Sequence, residues 1–233
     1  MPDSKTPRLG SFHLEDFAIV ALSATADQND RLLHPELDTA RRARLRSRLQ
    51  QIGRHDWPSS LKEDPHLRRG YTLRQCFRLI ASLMLIDAHL APSEAIALAK
   101  ANELSILRAI VPRLAAAGED KPASSPGDIL VVVPLGELVT LVAEEQWRAA
   151  RAQAARLVRR SELPSLWSDK ADLGFAGQRL VLDIGFAAAA AWRWMRERNL
   201  MSASAREELV AEVAAARTEQ GFTAIEGPIL RSR

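Results

Sequence analysis

"TLRQCFRLIASLMLID", residues 72–87, is the stretch whose reading decides the fold class. Leu73, Phe77, Ile80 and Met84 recur at spacings of four, three and four, the period of an α-helix rather than a strand. Thr72 and Gln75 have the form of a capping box, in which each side chain takes up an amide hydrogen that the first turn leaves unpaired. Leu79, Leu83 and Ile86 widen the apolar stripe until little of the helix is left for water. Such a helix needs others packed around it. Cys76 falls within the same pattern and reads as a small buried hydrophobe.

Upstream, "RHDWPSSLKEDPHLRRG" at 54–70 has two prolines and many polar residues, an irregular connection into which a short hairpin, or wing, fits. Before it, "HPELDTARRARLRSRLQQIG" at 34–53 reads as a helix, with Pro35 in its first turn and Gly53 as its stop. Leu45, Leu49 and Ile52 form its apolar stripe, and Arg41, Arg44 and Arg48 lie on a neighbouring face. "SFHLEDFAIVALSATA" at 11–26 reads as a first helix capped by Ser11. Residues 1–11 are expected to form a frayed tail.

Downstream, Pro92 and Ser93 open a helix over "SEAIALAKANELSILRAIV", bounded by Pro112. Two helices joined by a short turn make a helical hairpin or a helix-turn-helix. "AAAGEDKPASSPGD", Ala115–Asp128, has linker composition. It divides the chain into residues 1–114, residues 115–128 as linker, and residues 129–233. "ILVVVP" is the only convincing strand signal. Helices are expected from about 135 to 160, over 175–199 and over about 203–219. The 175–199 segment carries five consecutive alanines and is apolar on most sides. It suits a dimerisation element, the central helix of a C-terminal domain, or a surface for another protein. The fold class expected is mainly α: an N-terminal helical, winged helix-turn-helix-like domain, then a C-terminal helical domain with at most one or two short strands.

Composition agrees with helical packing. Hydrophobic residues make up 47% of the 233 and aromatics only 5%, whereas β-rich chains use more aromatic and β-branched residues. One cysteine excludes an intramolecular disulfide framework and a multi-cysteine zinc site. No apolar run approaches a bilayer span, and the N-terminus lacks the apolar core of a signal peptide, so a cytoplasmic protein without membrane contact is expected. Charge is unevenly placed. Eleven basic and three acidic residues between Arg41 and Arg78 give a local net charge of +8; the chain total is +3, so the remainder carries −5. A basic block in a slightly acidic protein is an electrostatic footprint for a polyanion.

The segment "RRGYTLRQCFRLIASLMLIDAHLAPSEAIALAKANE", residues 68–103, resembles the part of MerR-type winged helix-turn-helix regulators that follows the recognition helix. Arg68, Arg69, Gly70 and Tyr71 match the end of the basic wing, Thr72 the helix cap, and Leu79 and Leu83 the buried positions. The resemblance covers about a sixth of the chain and implies DNA binding. The family's metal-binding cysteines on a long C-terminal dimerisation helix have no counterpart here, and the 34–53 helix stands where a recognition helix is needed.

Enzymatic motifs do not emerge. The five histidines include no pair at helical ligand spacing, and no nucleophile elbow or phosphate-binding loop is present. Glu144-Glu145 and Glu207-Glu208 are adjacent on expected helices, so they do not share a face. Trp192 and Trp194 beside Arg193 and Arg196 read as core and helix-end anchors. No enzyme and no cofactor is expected. The leading expectation is a sequence-specific regulator of transcription bound to double-stranded DNA, with Arg41, Arg44, Arg48, Arg68, Arg69, Tyr71 and Arg74 as the DNA-binding residues. The alternative is a helical interaction protein whose basic face docks an acidic partner. Homodimerisation or contact with another protein would fall to the C-terminal half.

Overall fold

The computed structural model describes residues 7–26, 39–116, 129–134, 156–163 and 179–219. These residues form helices α1 (Leu14–Ala26), α2 (Thr39–Arg54), α3 (Leu73–Asp87), α4 (Pro92–Ala101), α5 (Glu103–Ala116), α6 (Ile184–Glu197) and α7 (Ala203–Glu219). They also form strands β1 (Ile129–Pro134), β2 (Arg156–Arg159) and β3 (Arg179–Leu182). The chain is mainly helical with a small antiparallel sheet.

Helix α3 begins as its sequence dictates. The Thr72 hydroxyl accepts from the Gln75 amide, and the Gln75 side chain accepts the Thr72 amide at 2.9 Å. Leu73, Cys76, Phe77, Leu79, Ile80 and Leu83 are all buried, so α3 is enclosed on most sides. Helix α1 buries five consecutive residues, Phe17 to Ala21. It is entered through a 3-10 turn, Ser11–His13, and Ser11 makes no cap, since the turn's own cap position is Gly10. Helix α2 runs one residue past Gly53, and the left-handed residue after it is Asp56 rather than the glycine. Pro35 lies outside the described residues.

The helix expected over 93–111 divides at Asn102, whose side-chain amide donates back to the Leu98 carbonyl at 3.0 Å. Pro112 lies inside α5 rather than beyond it. In the sheet, β1 is central and pairs antiparallel with β2 on one side and β3 on the other. Leu130 faces Val158 in register, and Val132 faces Val181. The strand at β1 was legible; β2 and β3 fall where helices were expected to end or begin. Residues 156–159 are strand rather than the last turn of a 135–160 helix, and α6 starts at Ile184 rather than near 175. Three short strands thus stand where one or two were expected. Each of the two added strands is only four residues long, too short to show a period of its own.

Helix α6 is the link between the two halves of the sequence. Asp183 caps it by accepting from the Phe186 amide at 2.9 Å, and Arg160 holds the same carboxylate at 2.5 Å. Its small residues Ala187, Ala188 and Ala191 are buried as it packs against α1 and α5. Gly185 lets the α5 backbone come close: a Cβ there would lie 2.9 Å from the Ala109 carbonyl oxygen. Helix α7 adds Ala205, Leu209 and Val213 against α3 and α5. One apolar cluster therefore contains residues from both sides of 115–128. The linker composition of that stretch does not mark a division between two cores. The alanine run that suggested a dimer contact is used within the chain.

Candidate nucleic-acid interface

Helix α2 carries the densest basic sequence, and acids from distant elements sort its arginines. On one flank, Arg42 donates to Glu15 and to Asp16, each at 3.1 Å, and Arg46 reaches Glu15 at 2.6 Å. The Arg46 hydrogen bond holds the Glu15 carboxyl below its ordinary range, with Arg42 adding to the effect against the cost of burial. On the other flank, Arg48 meets Asp87 at the end of α3 at 3.0 Å. Leu45 and Ile52 are buried beneath. These contacts fix which face of α2 looks outward.

The outward face is a stripe: Arg44, Ser47, Gln51 and Arg54 fall at i, i+3, i+7 and i+10. All four side chains are exposed and make no hydrogen bond or ion pair among the described residues. Arg44 was expected in a binding face. Ser47, Gln51 and Arg54 were not, although the helical spacing from Arg44 would have found them. Arg41 lies in α2, and nothing in the described side chains bears on its role. Arg48 shares the Arg44 flank but is engaged by Asp87.

The second predicted group divides more sharply. Residues 54–72 form turns and a 3-10 helix, Leu67–Arg69, with no strand pairing among themselves, so the hairpin expected there is not formed. Tyr71 instead bridges to Leu9 near the N-terminus, with backbone hydrogen bonds of 2.8 and 2.9 Å. The Arg68 and Arg69 side chains are exposed on the 3-10 turn without partners among the described residues. Tyr71 packs against the core, and burial raises the pKa of its hydroxyl. Arg74 is turned inward to Glu103 at 2.5 Å and also pairs with Glu212 of α7. Arg78 joins the same Glu103 at 2.7 Å and lies over the Trp57 ring. Arg74 and Tyr71 thus hold the fold together, where a role at a DNA surface was expected.

Arg48 and the Arg68–Arg69 turn lie toward opposite ends of α3. Arg48 marks the C-terminal end by its bond to Asp87, and Arg68 and Arg69 lie four and three residues before the N-terminal cap Thr72. A 15-residue helix is about 22 Å long, so Arg48 and the 3-10 turn stand well apart. Lys62 is a further exposed cation on the connection between them. At the far end of the sequence, Arg196 and Arg198 lie over the buried rings of Trp192 and Trp194, at 5.9 and 5.1 Å, as helix-end anchors. Among the described residues, no group of His, Cys, Asp and Glu side chains is placed to hold a metal ion, and no helix is long and apolar enough to cross a membrane.

No family model matches the chain, and no curated protein or solved structure does either.

Proposed function

We propose that the protein binds double-stranded DNA, with α2 as the helix that enters the major groove and the Arg68–Arg69 turn as a second contact to the phosphate backbone. The observation that carries this reading is the outward stripe of α2. Arginine and glutamine hydrogen-bond purine edges in pairs, and serine hydrogen-bonds either base or phosphate. A 16-residue helix, about 24 Å long, fits a groove about 12 Å wide and deep enough for its side chains. The arginines flanking the stripe are tied to Glu15, Asp16 and Asp87, so α2 is presented in a fixed orientation. In this reading they support the reading helix rather than touch phosphate. The cellular use proposed for such binding is regulation of transcription.

Fluorescence anisotropy with labelled genomic duplexes over a range of salt tests the reading. Arg44→Ala with Arg54→Ala is expected to weaken binding by about 1–3 kcal/mol per lost contact and to flatten the salt dependence, with an unchanged melting curve. Lack of duplex binding at low salt, or equal binding by the double variant, would sink it. An acidic protein partner would leave duplex DNA unbound.

A further inference from the structure

We propose that the N-terminal segment, residues 7–10, is a strap that keeps the Arg68–Arg69 turn in its binding shape, with Asp64 as the anchor and Arg8 as the positioning residue. Arg8 grips Asp64 with both terminal guanidinium nitrogens, at 2.7 and 3.0 Å, and donates as well to the Gly70 carbonyl at 3.0 Å. The strap is therefore fastened to both ends of the 64–70 segment. Leu9, next in sequence, is 1% exposed and exchanges two backbone hydrogen bonds with Tyr71.

Asp64 has further partners. It accepts from the His66 amide at 3.0 Å and from the Gln75 side-chain amide at 2.8 Å. The oxygen of that same Gln75 side chain accepts the Thr72 amide in the α3 capping box. One carboxylate thus joins the strap, the start of the turn and the cap of α3. The fit at the other end of the turn is close. Gly70 has φ of 126°, and a Cβ there would lie 2.4 Å from the Leu9 carbonyl oxygen. Only glycine allows strap and turn to lie together. The turn itself has few bonds of its own, Leu67 to Asp64, Arg69 to His66 and Gly70 to Leu67, and its two arginines are in water. A segment with so little burial opens easily unless something outside it holds it. Strap and turn form one local unit, and detaching the strap loosens the two arginines.

Single-residue amide hydrogen exchange reads this directly. Arg8→Gln is expected to speed exchange roughly tenfold at Leu9 and Tyr71, which report the strap, and also at Arg69 and Gly70, which report the turn. Amides of Leu79 to Leu83 within α3 should keep their protection. Arg8→Lys, which keeps the charge but not the two-nitrogen grip, should recover part of the loss, and Gly70→Ala should expel the strap with the same local pattern. Faster exchange at Leu9 and Tyr71 with Arg69 and Gly70 unchanged would overturn the proposal, as would equal acceleration throughout α3 or no change anywhere. The effect on binding rests on the DNA reading above: Arg8→Gln should weaken duplex affinity at least threefold. If the parent protein binds no duplex, that reading fails, and the exchange pattern alone decides the strap.

Discussion

Asp64→Asn isolates the free energy held by one carboxylate, and pH separates it from the rest of the fold. Asp64 is drawn down from an ordinary 3.8 to about 2, first by the hydrogen bonds from Arg8, then by those from Gln75 and the His66 amide, against the cost of its own burial. Its side chain is 12% exposed and that of Arg8 15%, so solvent screens the pair only in part. The folded pKa lies below the unfolded one, so the stabilisation is complete above about pH 4 and is lost as pH falls toward 2. The gap corresponds to about 2 kcal/mol at neutral pH, about half of that near pH 3, and under about 0.5 near pH 2. Asparagine keeps the shape and removes the titration. The parent-minus-variant difference in urea unfolding free energy should therefore be about 1 kcal/mol smaller at about pH 3 than at about pH 7, beside a pH-independent cost of setting the asparagine NH2 against donors. Other carboxylates, Glu15 and Glu103 among them, titrate in both proteins and cancel in the difference. A difference that does not change between the two pH values would refute the assignment of the shift to Asp64. So would a variant as stable as the parent at pH 7.

Phe77 is fully enclosed in α3, so Phe77→Ala should cost about 3–5 kcal/mol in thermal or urea unfolding, and a variant melting close to the parent would contradict the buried reading. Gly185→Ala places a methyl against the Ala109 carbonyl and the Arg113 side chain, so α5 and α6 must separate, at a cost of about 1–3 kcal/mol in unfolding free energy. Arg68→Ala with Arg69→Ala should weaken duplex binding by about 1–3 kcal/mol, with the melting temperature held, since both side chains are exposed.

Local information was enough for α3. Its period, its Thr72–Gln75 cap and the burial of Phe77 and Cys76 all follow from residues within four positions of one another. The same holds for β1, whose β-branched run needs no distant partner to be recognised. It holds for Leu45 and Ile52 as the inner face of α2, whereas of the outward stripe from Arg44 to Arg54 only Arg44 was expected.

What the sequence could not assign was the fate of each charge. The block from Arg41 to Arg78 carries +8, but Glu15, Asp16, Asp87, Glu103 and Glu212 stand outside it in sequence and meet it only in space. Arg74 and Glu212 are 138 positions apart, and no periodicity within either helix announces their pairing. Tyr71 bridges to Leu9, 62 positions earlier, in place of the hairpin partner expected within its own loop. The shared core has the same origin. Helix α6 is apolar on most sides by sequence, but only its packing on α1 and α5 shows that the covering helices come from the other half of the same chain. Period and capping are short-range properties that a sequence displays. Which acid neutralises which arginine depends on where the folded chain returns, so tertiary structure alone decides which cations remain for a partner.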